Sequence, residues 1–375
     1  MSHYDAIVIG GGPSGSTTAY RLAAAGAAVL LADKARFPRD KPCGGGLTIR
    51  ALRYCPVDPA PVVETLVDEV EIRFRYGDSV ARRASSPVIW MTQRRRLDAF
   101  LLDQARERGV EVREGVRARV EADNVVVLDG ERLEADVLVG ADGANGVTAR
   151  AVGLGDSVVQ SVALEGNLSR GDYSGEWPDG KAVVELGDVP GGYAWVFPKQ
   201  DHLNFGVWGW EDEGPKLRDH LRRLCEVYGV DPEQLTNLRG HRLPMRRPAK
   251  RIAAERVLLV GDAAGLIDPV SGDGMYECFV SSWAASQAIL DLLAGRSSSL
   301  APYAAEVNRA LGPLHSASWR IKKALDRWPR ASWQVVRTKL LWGSVQNLMQ
   351  GDIAHPGEQD GAAAVPLRLL NVLGR

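Results

Sequence analysis

The chain has 375 residues, enough to bury a large core and to divide into two domains. Its formal net charge of −1 offers no basic footprint for a nucleic acid. Its four cysteines, Cys43, Cys55, Cys225 and Cys278, lie far apart without metal-ligand spacing, so a reduced, cytosolic protein without disulfides or a metal site is expected.

The N-terminus enters an apolar strand too short for a signal peptide, and no window of about 18 apolar residues predicts a transmembrane helix. YDAIVI, residues 4–9, reads as a short buried strand. GGGPSG follows and sets Gly10-x-Gly12-x-x-Gly15, with Ser14 inside the turn. STTAYRLAAAG reads as a helix ending near Gly26, and AVLLAD as a second strand ending on Asp33, with Lys34 just beyond. In such a unit the first glycine makes the turn and the second admits a pyrophosphate. The third lets helix and strand pack closely. The helix N-terminus offers N–H groups to phosphate. An acid at Asp33 suits a ribose hydroxyl and favours FAD or NAD over NADP.

Downstream, KPCGGGLT, Lys41 to Thr48, places Gly44, Gly45 and Gly46 where backbone can approach a flat ligand. RRRLDAFLLDQARERG opens an amphipathic helix at Arg94 and Asp98. DVLVGADGANG, residues 136–146, is a buried strand ending at Asp142-Gly143. RVLLVGDAAGLIDPVSGDGM, residues 256–275, is another strand ending at Gly261-Asp262, then a turn with Pro269, Gly272 and Gly274 into a helix at Met275. A plain NAD fold needs no strand-Gly-Asp turn so far from the first, whereas an extended FAD does. Asp262 can accept bonds from ribityl or pyrophosphate-side hydroxyls. The Gly272–Gly274 turn and its helix can face the flavin pyrimidine edge, which becomes negative on reduction.

Between these segments, residues 60–90 and 155–250 hold short β-rich runs broken by Gly and Pro, with one amphipathic helix, LRDHLRRLCEVYG. PGGYAWVFPK, from Pro190, sets Tyr193, Trp195 and Phe197 on one face of a strand that closes at Pro198. That face is either core or the wall of an apolar pocket. Residues 241–251, HRLPMRRPAKR, are a solvated basic run or a seat for a phosphate head. From about 300 to 350 the pattern is helical and basic, with Trp319, Trp328, Trp333 and Trp342 interleaved and Pro329 breaking it. Residues 316–345 there suit either packing helices or a peripheral membrane surface. A loose linker, 353–364, precedes an apolar tail.

The set GxGxxG, RxxLD, ADG and GDAAG…P…GxG resembles FAD proteins related to p-hydroxybenzoate hydroxylase. Within that group, KPCGGG together with Pro190-x-x-Tyr193-x-Trp195-x-Phe197-Pro198 resembles the geranylgeranyl reductase family. Leu97, where the group has Phe, and Glu277, in a stretch often less polar, depart from the pattern. The resemblance implies an α/β plus β fold: a Rossmann-like FAD domain over 1–60, 91–155 and 251–295, with an inserted mixed-sheet substrate domain over 61–90 and 156–250, and C-terminal helices over 296–375. It implies that Arg94 contacts FAD near its pyrophosphate, that Asp142 sits near the phosphates, and that the aromatic strand lines an isoprenoid pocket.

The activity it implies is FAD-dependent reduction of isoprenoid double bonds on a prenyl diphosphate, lipid or quinone. Hydride comes from flavin N5 and a proton from a nearby donor. Cys43 is the candidate acid, since a free thiol is largely protonated at neutral pH; pocket wall and inert filler are its other readings. Tyr193 is a second donor candidate. With no second dinucleotide turn, electrons come from transient NADPH or a reduced ferredoxin or reductase partner. Two other readings share the scaffold: a monooxygenase or halogenase working through a flavin C4a-hydroperoxide, and an electron-relay flavoprotein.

Overall fold

The computed structural model describes residues 3–122, 124–154, 158–247 and 251–375. The first sheet is built on Tyr4–Ile9, which pairs in parallel with Val29–Asp33 on one side and Glu131–Gly140 on the other. Glu111–Glu114 and Val257–Leu259 extend it in parallel at either side. Strands covered on both faces need unbroken apolar runs, and Ala6, Ile7 and Val8 are fully buried. The helices Pro13–Ala24 and Met275–Leu293 pack against each other, with Thr17 Oγ1 donating to Ser282 Oγ at 2.8 Å. The first half of Glu131–Gly140 turns away into an antiparallel meander with Val125–Leu128 and Ala118–Ala122.

The second sheet has seven strands, ordered Thr236–Arg246, Val158–Ser169, His202–Trp210, Tyr193–Pro198, Lys181–Leu186, Glu69–Phe74 and Asp78–Arg83. Its two faces follow the strand period of two. Leu164, Leu168, Val196, Phe205 and Val207 face the helix Leu217–Val227 and form one core with Leu217, Leu221 and Leu224. The opposite face carries Glu165, Tyr193, Trp195 and Trp208 toward the first sheet.

The stretch 61–90 does not belong wholly to this second sheet. Val63–Val67 and Ile89–Thr92 join Gly46–Thr48 in a separate three-stranded sheet, while only the hairpin between them enters the large one. Gly46–Thr48, which follows the Cys43 loop, takes Ile89–Thr92 as its strand partner there.

The C-terminal region is four helices, Ala301–Arg327, Pro329–Val336, Lys339–Gln350 and Ala364–Leu373. The apolar tail packs on Ala301–Arg327. Most of the tryptophans here pack against the protein itself. Trp319 stacks on Trp210 at 6.4 Å, and Trp333 on Phe74 at 5.5 Å while donating to Asp78. Trp342 is half-buried against Val70, Ala84 and Val88, and Trp328 is exposed. Among the described residues no helix is long and apolar enough to cross a membrane.

Candidate active site

A cavity of about 540 Å³ lies between the two sheets. At one end the glycine turn makes an anion cradle. Gly15 must lack a side chain, because a Cβ there would sit 1.9 Å from the Gly10 carbonyl oxygen. Over Gly12 the space is open to two guanidiniums, with Arg39 Nη2 at 3.7 Å and Arg94 Nη2 at 3.9 Å from where its Cβ would be. Buried Asp98 holds both: Arg94 donates twice, at 2.7 and 2.8 Å, and Arg39 pairs at 2.8 Å. Burial works against the Arg94 charge, but Asp98 outweighs it and raises the guanidinium pKa. A helix N-terminus, an open turn and two fixed cations fit the pyrophosphate of FAD. Arg94 therefore faces the cradle as a member of a buried ion triad, rather than as a lone phosphate ligand.

Asp33 lies at the cavity edge, accepting from the Gly11 and Ala35 N–H groups at 2.7 Å each, with Lys34 beside it. Asp142 also lines the cavity. Its Oδ2 accepts from Val147 N, Thr148 N and Thr148 Oγ1, while Oδ1 is buried without a protein partner. Asp262 lines the cavity too. It is paired with Lys41 Nζ at 2.9 Å, with His241 at 3.9 Å. Burial alone would raise its pKa, but Lys41 and His241 hold the carboxyl far below its usual range. Gly143, Gly272, Gly274 and Met275 line the cavity; Gly261, Pro269, Gly45 and Gly46 do not. Gly261 instead lets its turn close on Ser14, whose Oγ would be 2.8 Å from a Cβ there. Pro269 is buried in the turn, Gly46 opens a strand of the small sheet, and Gly45 just before it packs on that sheet, a Cβ at Gly45 falling 2.0 Å from the Thr92 carbonyl oxygen.

The aromatic strand forms the other end. Tyr193 and Trp195 line the cavity with Trp208 from the next strand. Tyr193 meets Trp208 edge-on at 5.5 Å and donates its hydroxyl to the Ser271 carbonyl. Phe197 packs beneath Gly44, Pro198 is buried at the strand end, and Pro190 is exposed at the preceding turn, so these three lie outside the cavity wall. Period two aims the three rings alike, but the Cys43 loop covers the last of them. Cys43 and Gly44 reach the cavity here. The Cys43 sulfur accepts from Gly45 N at 3.4 Å, and its N–H donates to Glu165 Oε1 at 2.8 Å. Lys199, buried just past the aromatic strand, donates to the Gly44 carbonyl at 2.6 Å. Burial pushes the Glu165 carboxyl up to about 7, against the Cys43 N–H, Lys199, Asn204 and Arg94. Burial likewise lowers Lys199 to about 8, against Cys43, Glu64 and Glu165.

A family model described as an FAD binding domain matches residues 3–306. Geranylgeranyl diphosphate reductase of Oryza sativa is 30% identical over 85% of this chain and 74% of its own. The enzyme of that name from Rhodobacter capsulatus is 30% identical over 77% and 76%. The chain belongs to the geranylgeranyl reductase family. It is an FAD-dependent oxidoreductase. A geranylgeranyl bacteriochlorophyll reductase-like protein from Thermoplasma acidophilum superposes with a TM-score of 0.80 at 22% identity, covering 99% and 100% of the two chains. The flavin-dependent brominase Bmp2 does so at 0.78 and 19%, covering 99% of each, so the fold is common to both.

Sequence reasoning about this reductase-family chain passed over several cavity residues. Arg39, Arg117, Glu165 and Trp208 all line the site without belonging to a quoted motif role. Lys41 was visible inside KPCGGG, but nothing in that stretch names Asp262, 221 positions away, as its partner. Glu165 had one faint signal, a lone carboxylate inside an otherwise apolar strand, VALEGNL. The basic run at 241–251 is only partly accounted for: His241 reaches the cavity, and residues 248–250 lie outside the described residues.

Proposed function

We propose that the protein reduces carbon–carbon double bonds of an isoprenoid chain carried on a diphosphate, a lipid or a quinone. The observation that carries this reading is the aromatic floor of Tyr193, Trp195 and Trp208, continuous with the cofactor cradle and bordered by Cys43. Rings offer a long alkene apolar area with little rotamer entropy to lose. The FAD, when bound and reduced, supplies hydride from N5 to one alkene carbon. The chain's residues do the rest. Arg39, Arg94 and the Gly12 turn anchor the pyrophosphate. The aromatic floor orients the chain and excludes water. Cys43 stands at the floor's edge as the thiol proton-donor candidate, with the Tyr193 hydroxyl beyond it. Transient NADPH, or a reduced ferredoxin-type partner, is the electron source in this reading.

The deciding experiment is anaerobic. Holoenzyme reduced with dithionite is mixed with geranylgeranyl diphosphate or a polyprenyl quinone, and flavin reoxidation is followed beside the mass of the lipid. Reoxidation without oxygen and two added hydrogens per double bond support the reductase. A flavin that stays reduced until air enters, with oxygen or halide appearing in the product, would make the chain a monooxygenase or halogenase on the same scaffold.

A further inference from the structure

We propose that Glu165 is the acid that protonates the prenyl double bond, acting from the edge of the Trp195 ring; the inference rests on the reductase reading above. The argument begins with sheet register. Glu165 on Val158–Ser169 lies opposite Gly206 on His202–Trp210, and Gly206 lies opposite Trp195 on Tyr193–Pro198. Cross-strand partners point to one face. A Cβ at Gly206 would fall 2.0 Å from Cζ2 of Trp195, so the indole fills the space above the glycine, between its own strand and that of Glu165. The missing side chain is what lets ring and carboxyl become neighbours on the cavity floor. One row up, Ala163, Trp208 and Tyr193 repeat the pattern, so the floor continues as aromatic surface.

The surroundings fix both groups. The Trp195 Nε1 donates to Asn204 Oδ1 at 2.7 Å, and Asn204 Nδ2 donates to Asn167 at 2.9 Å. The Cys43 N–H holds one carboxyl oxygen at 2.8 Å. The charged groups facing Glu165 are Lys199 past the aromatic strand and Arg94 from the helix below. Arg239 stands opposite on the outer strand, 3.8 Å from Asp40, and Glu64 acts on Lys199 from the small sheet. Burial outweighs these partners, so a large share of the carboxyl carries its proton at neutral pH, where an acid catalyst is most effective.

The step balances without another reagent. The proton leaves the Glu165 carboxyl for one alkene carbon as hydride from the reduced flavin reaches the other. The π bond breaks and two C–H bonds form. The alkene gains two electrons and the flavin loses two. Positive charge building on the more substituted carbon is met by the rings of Trp195 and Tyr193 on the floor, the Trp208 ring being already engaged by Lys322 Nζ at 4.3 Å. The carboxylate left behind lies beside Lys199 and takes a proton from solvent before the next turnover. In this assignment Glu165 replaces the Cys43 thiol as proton source, and Cys43 aligns the acid through its N–H.

The test uses holoenzyme and the variants Glu165→Gln, Glu165→Asp and Cys43→Ala. Gln keeps an oxygen for the Cys43 N–H but has no acidic proton. Reduced enzyme is mixed anaerobically with geranylgeranyl diphosphate across pH 5–9. The wild-type rate is expected to be flat below about pH 7 and to fall about tenfold per unit above it. Glu165→Gln is expected to lose roughly 10²–10³-fold and the pH limb with it. Glu165→Asp should recover part of the rate with a shifted limb, and Cys43→Ala should keep the limb. A second readout needs no turnover: infrared difference spectra of substrate-free holoenzyme should show a protonated carboxyl that titrates near pH 7 and is missing in Glu165→Gln. The proposal is overturned if Glu165→Gln stays within threefold of wild type with the same profile, or if no such carboxyl titrates. A wild type that no prenyl substrate reoxidises would instead overturn the reductase reading, and the Glu165 role with it.

Discussion

Replacing Asp98 with Asn tests the anion cradle. The wild-type carboxylate is fully buried, accepts two bonds from Arg94 and pairs with Arg39. Asn keeps the size and one acceptor but removes the charge that balances two guanidiniums. Breaking one side of a buried ion pair costs about 3–5 kcal/mol, because the remaining charge stays desolvated. Arg39 is partly open to solvent and relaxes, so the lower end, about 3 kcal/mol, is expected for the apoprotein. FAD should reduce that loss, since its pyrophosphate would supply the counter-charge over Gly12. Urea unfolding of apoprotein, and of both proteins at one and the same free FAD concentration well above either Kd, measures both terms. An apo loss below about 1 kcal/mol would refute the buried-pair argument. An equal loss with and without FAD would show that the guanidiniums do not face the pyrophosphate.

Other substitutions test other parts of the site. Gly206→Ala should displace the Trp195 ring, whose Cζ2 is 2.0 Å from the new Cβ, at a cost of about 1–3 kcal/mol in thermal unfolding; an unchanged melting temperature would mean the ring lies elsewhere. Glu277 is fully buried, both its oxygens lack hydrogen-bond partners, with His315 Nε2 3.6 Å from one of them, and burial holds its pKa well above the ordinary value. Its folded form binds a proton that the unfolded form releases, so its contribution is whole below about pH 4.5 and declines as pH rises. The stability of Glu277→Gln relative to wild type should therefore increase from pH 4.5 upward, and a flat difference would contradict the burial argument. Trp333→Ala removes the Phe74 stack and the Asp78 bond and should cost about 3–5 kcal/mol in urea unfolding, whereas half-exposed Trp328→Ala should stay within about 1. Equal effects would place these tryptophans outside the packing described.

The parts legible in the sequence were those fixed over short distances. The turn from Gly10 to Gly15, the strand ending at Asp33 and the alternation of Tyr193, Trp195 and Phe197 each follow from a local period. What period two could not say is which of three like-facing rings would be covered. Phe197 is, because Gly44 comes back over it from 153 positions earlier in the chain, and Pro190 falls in a turn. The Arg94–Asp98 pair had a helical i,i+4 signature, but its second cation, Arg39, comes from a loop with no periodic pattern. Glu165 was least legible. A carboxylate in a strand reads as solvent-facing, and only the meeting of that strand with the Cys43 loop makes it a buried acid.

That loop also explains how a cofactor cradle on one sheet and a substrate floor on another act as one site. Arg39 ties it to Asp98 beneath the phosphate turn. Lys41 ties it to Asp262, on the turn that follows the last parallel strand. The Cys43 N–H ties it to Glu165 on the second sheet, and the Gly44 carbonyl to Lys199 just past the aromatic strand. Six residues, 39–44, thus meet four partners, all of them charged, three carboxyls and one ammonium, on separate elements. Hydrogen bonds to charged groups are worth about 1.5–3 kcal/mol each when buried, so the loop is held more firmly than its glycine content suggests. Three consecutive glycines would make a free loop mobile; here they let backbone reach Phe197 and Thr92 at distances no side chain permits. A cofactor that repositions Arg39 or Lys41 therefore acts on the acid through the backbone of this one segment, which joins cofactor binding to the alignment of the proton donor.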